Sequence, residues 1–405
     1  MATPAVELDL PLIPFSQSQD RQERRAIMRE IAKQSPIART DIGFAAVHYD
    51  TVTKVMRDKR WHSAAGLAAQ LAGSRDPRLN RDRVSILNAE GDTHVRLRRL
   101  VAPAFSPRSA DRLRPFMREV INTLIDPATK LGRSEFVRDV CEPYPIPIIC
   151  ELLGAPKEDW QSFSVWATDI LRIFNGTVNE EVELIVAARE AIEDYVNRLI
   201  AERRDKPADD LLTDLIAAEE EGDRLSNEEL VMMVEAVIVG GTDTTRNQLG
   251  LCLSLFLDHP EQWELLANNP ELAPRAVEEC MRYWGAVNGT VRFASEDIEM
   301  DGVLYAKGTF MSASLGTANF DSAVFPGADT FDITREPVGS PHMSFGSGIH
   351  YCLGASLARA ELQEALTILP ARMPGIRRDG DTVMKPATTA IFGPAEMPIV
   401  FTPGH

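Results

Sequence analysis

No window of this chain holds about 18 consecutive apolar residues, so a membrane-spanning helix is not expected. The longest candidate, residues 231–241, is interrupted by Glu235. Residues 1–15 lack a basic start followed by a continuous apolar stretch, so no secretory leader is evident and a cytoplasmic location is the default expectation. Basic residues are in deficit: Lys plus Arg number 43 against 60 Asp plus Glu, a formal net charge of −17. A surface of that sign repels phosphate backbones, which argues against nucleic acid as a partner. The short run Glu219–Glu220–Glu221 reads as a solvated loop edge. Cysteine is scarce. The five stand at 141, 150, 252, 280 and 352, an odd number with no C-x-x-C spacing. For four of them that favours reduced core thiols over a disulfide framework. No G-x-G-x-x-G follows a strand-like segment, so no flavin or nicotinamide site is evident. Repeats and low-complexity segments are also missing.

What is present is a 405-residue chain, 44% hydrophobic and 25% charged, the balance of an ordinary globular protein. The motifs favour one domain over residues 1–405, not the two or three that about 150 residues per domain would suggest. Residues 1–20, with several prolines, read as a surface arm, and a monomer is expected. Helical periodicity dominates from about Arg21, with short extended pieces near residues 41–47. Pro145, Pro147 and Pro156 bracket an apolar run, residues 146–153, that reads as a helix entry and exit around a buried turn.

The clearest long helix starts at Ser226, where Ser226 and Glu229 form an S-x-x-E capping box. Apolar positions continue to Leu257 and stop at Asp258–His259–Pro260. At about 1.5 Å per residue such a helix spans roughly 50 Å. Its middle carries Gly240–Gly241–Thr242–Asp243–Thr244–Thr245. Each interior glycine costs about 1 kcal/mol relative to alanine, so the pair marks a place where the helix widens, kinks or is closely approached. A second helix carries Glu279 and Arg282, three apart and able to pair on one face. Short β-like pieces follow at Thr290–Arg292, Ile298–Met300 and Val303–Tyr305, with a hairpin turn at Asp301–Gly302. Residues 321–337 read as irregular.

The most informative segment is Phe345–Gly346–Ser347–Gly348–Ile349–His350–Tyr351–Cys352–Leu353–Gly354. Its glycines permit tight turns close to a flat ligand. The helix-like run after Cys352 would set the sulfur at a positive dipole end, which favours thiolate. An inert core thiol leaves the glycines unexplained, a nucleophile paired with His350 does not fit the spatial logic of such dyads, and zinc lacks a companion cysteine.

This segment, F-x-x-G-x-H-x-C-x-G at Phe345, Gly348, His350, Cys352 and Gly354, resembles the haem-binding motif of the cytochrome P450 family. The glycine–acid–threonine run at 240–245 resembles that family's oxygen-activation motif, and Glu279-x-x-Arg282 its E-x-x-R pair. His94–Val95–Arg96–Leu97–Arg98–Arg99 with Phe105–Ser106–Pro107–Arg108 resembles the family's third helix, and Asp209–Asp210–Leu211–Leu212 the bacterial members. Val291–Arg292–Phe293–Ala294 falls where the family's arginine meets a haem propionate. One departure is Asn319–Phe320–Asp321, where relatives commonly carry arginine in the middle.

The resemblance implies a mainly α fold with small β-sheets, holding haem b (iron protoporphyrin IX) between a long central helix and the Cys-loop helix. Cys352 is then the single protein ligand to iron, and His94, Arg98, Arg292 and His350 serve the propionates. Asp243 relays protons and Thr244 holds a water, while Glu279 and Arg282 are structural. The implied activity is a monooxygenase acting with O2 on a mid-sized, mostly apolar substrate, fed by NAD(P)H through a ferredoxin reductase and a ferredoxin. Arg96, Arg99, Arg108 and Arg359 are candidates for a ferredoxin-docking patch. The pocket is expected from residues 61–92, 166–183, 236–240, 286–291 and 388–392, with Ala236, Val239, Gly240, Val287, Val291, Ile391 and Phe392 giving apolar surface. Asn288, Thr290 and Thr388 offer a polar handle. A peroxide-using enzyme and a non-catalytic haem sensor or ligand binder are the alternatives.

Overall fold

The computed structural model describes residues 2–14, 20–79, 83–220 and 225–403, with no account of the Glu220 side chain. Among them the chain is mainly helical with small β-sheets, and twelve helices run nine residues or longer. No helix is long and apolar enough to cross a membrane among the described residues.

The central helix is Asn227–Asp258, and its start and end follow from local chemistry. Ser226 Oγ accepts from Glu229 N at 3.1 Å, while Glu229 Oε2 accepts from Ser226 N at 2.9 Å, closing the capping box. Pro260 opens the next helix, Pro260–Asn268, so His259 marks a sharp corner. Over most of its length the central helix is buried on all sides, packed by helices Pro145–Leu153, Trp160–Leu171, Val182–Asp205 and Ala273–Tyr283. It also meets Ala355–Arg372, the helix after Cys352, which in turn packs on Pro107–Leu131. The apolar core is therefore continuous from one end of the central helix to the cysteine helix.

The expected widening at Gly240–Gly241 is not observed, for the α-helix is unbroken from 227 to 258. Thr242 Oγ1 donates to Ile238 O at 2.6 Å and Thr244 Oγ1 to Gly240 O at 2.8 Å, so these hydroxyls bond back one turn without opening the helix. Close approach accounts for Gly241: a Cβ there would lie 2.2 Å from Ile149 Cδ1. At Gly240 a Cβ would meet nothing within 4 Å. The run at 146–153 is a helix, Pro145–Leu153, entered by proline and ended by Gly154 at φ +85°.

A mixed five-stranded sheet gathers distant segments in the order Ile37–Thr40, Gly43–Ala46, Phe310–Ala313, Thr290–Ala294, Trp61–Ser63. Strand alternation turns Arg292 and Ala294 inward, whereas Val291 and Phe293 stay half-buried. The hairpin Ile298–Met300 to Val303–Tyr305 turns at Asp301 (φ 52°) and Gly302 (φ 76°), the pair of positive φ values that a two-residue turn of the primed kind requires. The N-terminal segment is tied down where it is described: Thr3–Pro4 pairs with Val303–Leu304, and Ile13 N donates to Arg39 O at 2.9 Å. Residues 15–19 of the expected arm lie outside the described residues, as does Glu221 of the acidic run; Glu219 ends on Arg204 at 2.7 Å.

Candidate active site

The loop before the cysteine helix is built by two left-handed glycines. Gly346 has φ 70° and Gly348 φ 71°, and a Cβ on Gly348 would lie 2.1 Å from Met56 O. Gly348 is thus required by the backbone of the neighbouring helix Tyr49–Arg57. Cys352 N donates to Phe345 O at 2.9 Å and closes the loop, and Arg359 lies 4.4 Å over the Phe345 ring. Of the five cysteines, Cys352 alone is exposed; the other four are buried. Burial pushes the Cys352 thiol up, and the Gly354 amide, Arg98 and Arg359 offset this only in part. A cation bound at the sulfur would favour the thiolate. At Gly354 a Cβ would meet nothing within 4 Å.

His94 and Arg98 share one face of helix Gly91–Val101, four residues apart. The His94 ring lies 4.5 Å from that of His350, and Arg98 Nη1 donates to Ile349 O at 3.2 Å. His94 is 1% exposed and its Nε2 has no hydrogen-bond partner among the described residues. Burial, then the His350 and Arg98 charges, hold its imidazole down at about 4. Arg292 is buried too; among the described residues it donates only to Thr290 Oγ1 (3.3 Å) and Val291 O (3.5 Å), and burial lowers its pKa. Against these four groups stands one carboxylate that sequence reasoning missed, Glu90. It accepts from Ser63 N at 2.6 Å and meets His350 Nε2 at 3.1 Å. Its position just before the third helix was its only sequence cue. An orphaned buried nitrogen among cationic side chains with a single acid suits added carboxylates. The two propionates of a haem fit that demand, and the exposed sulfur of Cys352 fits its iron.

On the central helix Ala236, Gly240 and Thr244 recur every four residues along one face and are more open than their neighbours. Val239 is buried at 8%. Asp243 is buried and ion-paired with Arg246, and Lys385 Nζ lies 4.0 Å from its Oδ1. Arg246 also donates to Ser164 Oγ (3.1 Å) and Thr168 Oγ1 (2.7 Å). Val287 and Ile391 form an antiparallel bridge, with Val291 half-buried in the adjoining strand. Asn288 Nδ2 donates to Gly285 O at 2.9 Å. Phe392 is 1% exposed and stacked on Trp284 at 5.9 Å, which places it in packed core. Asn175 Oδ1 accepts from Ala390 N at 3.1 Å and Gly176 N donates to Thr388 O at 3.2 Å, joining two of the five expected pocket segments.

Glu279 and Arg282 form a buried bidentate pair, both bonds 2.8 Å. Arg282 further donates to Asn319 O (3.0 Å), Ala328 O (2.9 Å) and Thr330 O (3.2 Å), pinning the irregular stretch to the helix. Arg335, which sequence reasoning passed over, adds a third charge at 3.1 Å from Glu279 Oε2. Phe320, the unexpected residue, is ringed by the guanidinium groups of Arg29 (3.7 Å), Arg25 (5.3 Å) and Arg282 (5.4 Å), so an aromatic face receives cations there.

Comparison with known proteins agrees with this geometry. Residues 156–369 match the family model "Cytochrome P450". The nocardicin C N-oxygenase of Nocardia uniformis subsp. tsuyamanensis is 38% identical over 81% of each chain. The mycinamicin IV hydroxylase/epoxidase of Micromonospora griseorubida is 35% identical over 92% of this chain and 94% of its own. The crystal structure of CalO2 superposes with a TM-score of 0.87 at 31% identity, covering 95% of this chain and 97% of that one. The chain belongs to the cytochrome P450 family, whose fold carries a haem and whose chemistry is oxygenation.

Proposed function

We propose that the protein is a haem-thiolate monooxygenase that inserts one oxygen atom of O2 into a mid-sized, mostly apolar organic substrate. The observation that carries this reading is the exposed Cys352 sulfur beside an under-compensated cluster of His94, Arg98, Arg292 and His350. Those residues would hold haem b, Cys352 at the iron and His94, Arg98, Arg292 and His350 as donors to the propionates. Bound there, the haem supplies an iron that activates dioxygen with electron density from the thiolate.

The chain's own residues supply space and protons. Ala236 and Gly240 leave room along the central helix for a substrate. The Thr244 hydroxyl, resting on Gly240 O, can turn to hold a water. Asp243 is its neighbour, but Arg246 occupies its carboxylate. Delivering a proton requires the Asp243 carboxylate to leave Arg246, and Lys385 marks the side from which a replacement proton enters. The named relatives oxidise dissimilar compounds, nocardicin C and mycinamicin IV, so the substrate class rests on the apolar lining.

We extend the proposal to electron supply from NAD(P)H through a ferredoxin reductase and ferredoxin, in the cytoplasm. Of the four arginines considered for docking, Arg96 is bound to Glu229 and Arg359 to Glu278. Arg99 and Arg108 are exposed with no acid partner among the described residues, which narrows the patch to them. Substituting Thr244→Ala tests the function. Substrate binding should persist while NAD(P)H oxidation is diverted from product to hydrogen peroxide; unchanged coupling would remove Thr244 from the proton path. Product formation with peroxide alone, and none with reductant and O2, would favour the peroxide-using alternative.

A further inference from the structure

The helix Arg21–Ala32 buries Met28 and Ile31 in an apolar cluster, and beside them it turns a row of basic side chains inward. Arg21, Arg24, Arg25 and Arg29 fall on one face, at spacings of three and four, and all are half-buried. Gln22, Glu23, Ala26 and Glu30 take the exposed side. The arginine face looks into a cavity of about 190 Å³. Opposite stand Asn288, Ser312, Ser314 and Thr317, with Phe320 as part of the wall. Among the described residues no carboxylate lines this cavity, and none of its lining residues belongs to the Cys352 loop or to the His94, Arg98, Arg292 and His350 cluster.

Arg21 and Arg25 carry the argument. Arg21 donates to Ala387 O at 2.9 Å and lies 4.7 Å over the Phe392 ring. Arg25 donates to Tyr283 O at 2.6 Å and lies 5.0 Å from the Trp284 ring. Neither has a carboxylate partner among the described residues, and the sequence at 15–19 contains no acid. Arg29 has one, the exposed Asp329 at 3.1 Å. Burial, then the charge of Arg24, lowers Arg21 to about 10; burial, then Arg29 chiefly among its neighbours, does the same to Arg25. Carbonyls and ring faces share the charge but do not neutralise it, and a buried cation without a counter-ion is costly. The remaining lining groups fit the same need. The hydroxyls of Ser312, Ser314 and Thr317 have no protein partner among the described residues and can donate inward.

We propose that this cavity is a binding site for the oxyanion group, carboxylate or phosphate, of a small molecule, held by Arg21 and Arg25 with the Ser312, Ser314 and Thr317 hydroxyls. Arginine forks match two oxygens of either group, and the hydroxyls reach those left over. The site backs onto the Asn288–Gly289 segment, so occupancy would stiffen one wall beside the expected substrate pocket. It is separate from the haem-binding cluster, and its readout does not pass through the haem.

The experiment is calorimetric titration and thermal melting of the purified holoprotein at constant ionic strength, with chloride as background. Inorganic phosphate is one titrant and butyrate the other. Saturable binding of at least one is expected, with a melting point raised by about 3 °C at 100-fold excess over Kd. Phosphate alone would indicate a phosphorylated ligand; butyrate alone, a carboxylic acid. The double substitution R21Q/R25Q should weaken binding at least tenfold. If that chain does not fold, R21Q alone serves, since Arg21 makes one carbonyl bond and one ring contact. Absence of saturable binding, or equal binding in the substituted chain, would overturn the proposal.

Discussion

Glu279→Ala removes a carboxylate that accepts four hydrogen bonds: two from Arg282 at 2.8 Å, one from Arg335 at 3.1 Å and one from Asp332 N at 3.0 Å. Glu279 and Arg282 are each 3% exposed, so the guanidinium left behind cannot turn to water. Stranding one partner of a buried pair costs about 3–5 kcal/mol, against at most about 1 kcal/mol for a surface pair. The three carbonyls that Arg282 retains favour the lower end. At about 2.1 cal/mol/K of unfolding entropy per residue, that loss lowers Tm by about 4–6 °C. The second consequence is loss of haem. Arg282 ties Asn319, Ala328 and Thr330 to the helix, and Asn319 Oδ1 accepts from Met343 N at 2.6 Å at the head of the Cys352 loop. Unfolding curves and haem per chain measure the two effects. Arg282→Met added to Glu279→Ala should recover part of the stability by removing the stranded charge, a coupling read from the double-mutant cycle. A cost below about 1 kcal/mol with normal haem content would refute the reasoning.

The adjacent glycines of the central helix should respond in opposite directions. Gly240→Ala meets open space and gains up to about 1 kcal/mol of helix propensity, whereas Gly241→Ala drives a methyl into Ile149 and loses about 1–3 kcal/mol; denaturant titration of both separates the cases, and equal effects would contradict the packing at Ile149. Glu278 titrates low. Burial raises its pKa, but His342 and Arg359 outweigh this and bring it to about 2. Its folded value lies below the unfolded one of about 4.5, so its stabilisation is present above pH 4.5 and is lost as pH falls toward 2. Its carboxylate is partly exposed, which keeps the effect modest. Glu278→Gln should flatten stability against pH in that window, and an unchanged slope would count against the contact with His342 and Arg359.

The features legible in the sequence were those whose cause is local. The capping box at Ser226, the stop at Pro260 and the turn at Asp301–Gly302 each need only neighbouring residues, and all three are present. The five-stranded sheet was not legible as a unit, because its strands are three to five residues long and Gly43–Ala46 pairs with Phe310–Ala313 from far along the chain. The same distance hid Arg335, which reaches Glu279 out of an irregular stretch, and Glu90, which enters the cationic cluster through Ser63. The four arginines of residues 21–29 were silent for another reason. A basic helical face ordinarily meets water, and only packing against Phe320, Trp284 and Phe392 turns it inward. At Gly348 the tight turn was legible, but the close approach of Met56 O from far along the chain was not.

The most direct measurement of what Cys352 does is the absorption spectrum of the haem-loaded protein, reduced and exposed to carbon monoxide. With Cys352 bound as thiolate, a strongly red-shifted Soret band appears and is lost in Cys352→His. A histidine-type spectrum in the unsubstituted protein, no haem band after reconstitution, or a red shift that survives Cys352→His would contradict the assignment.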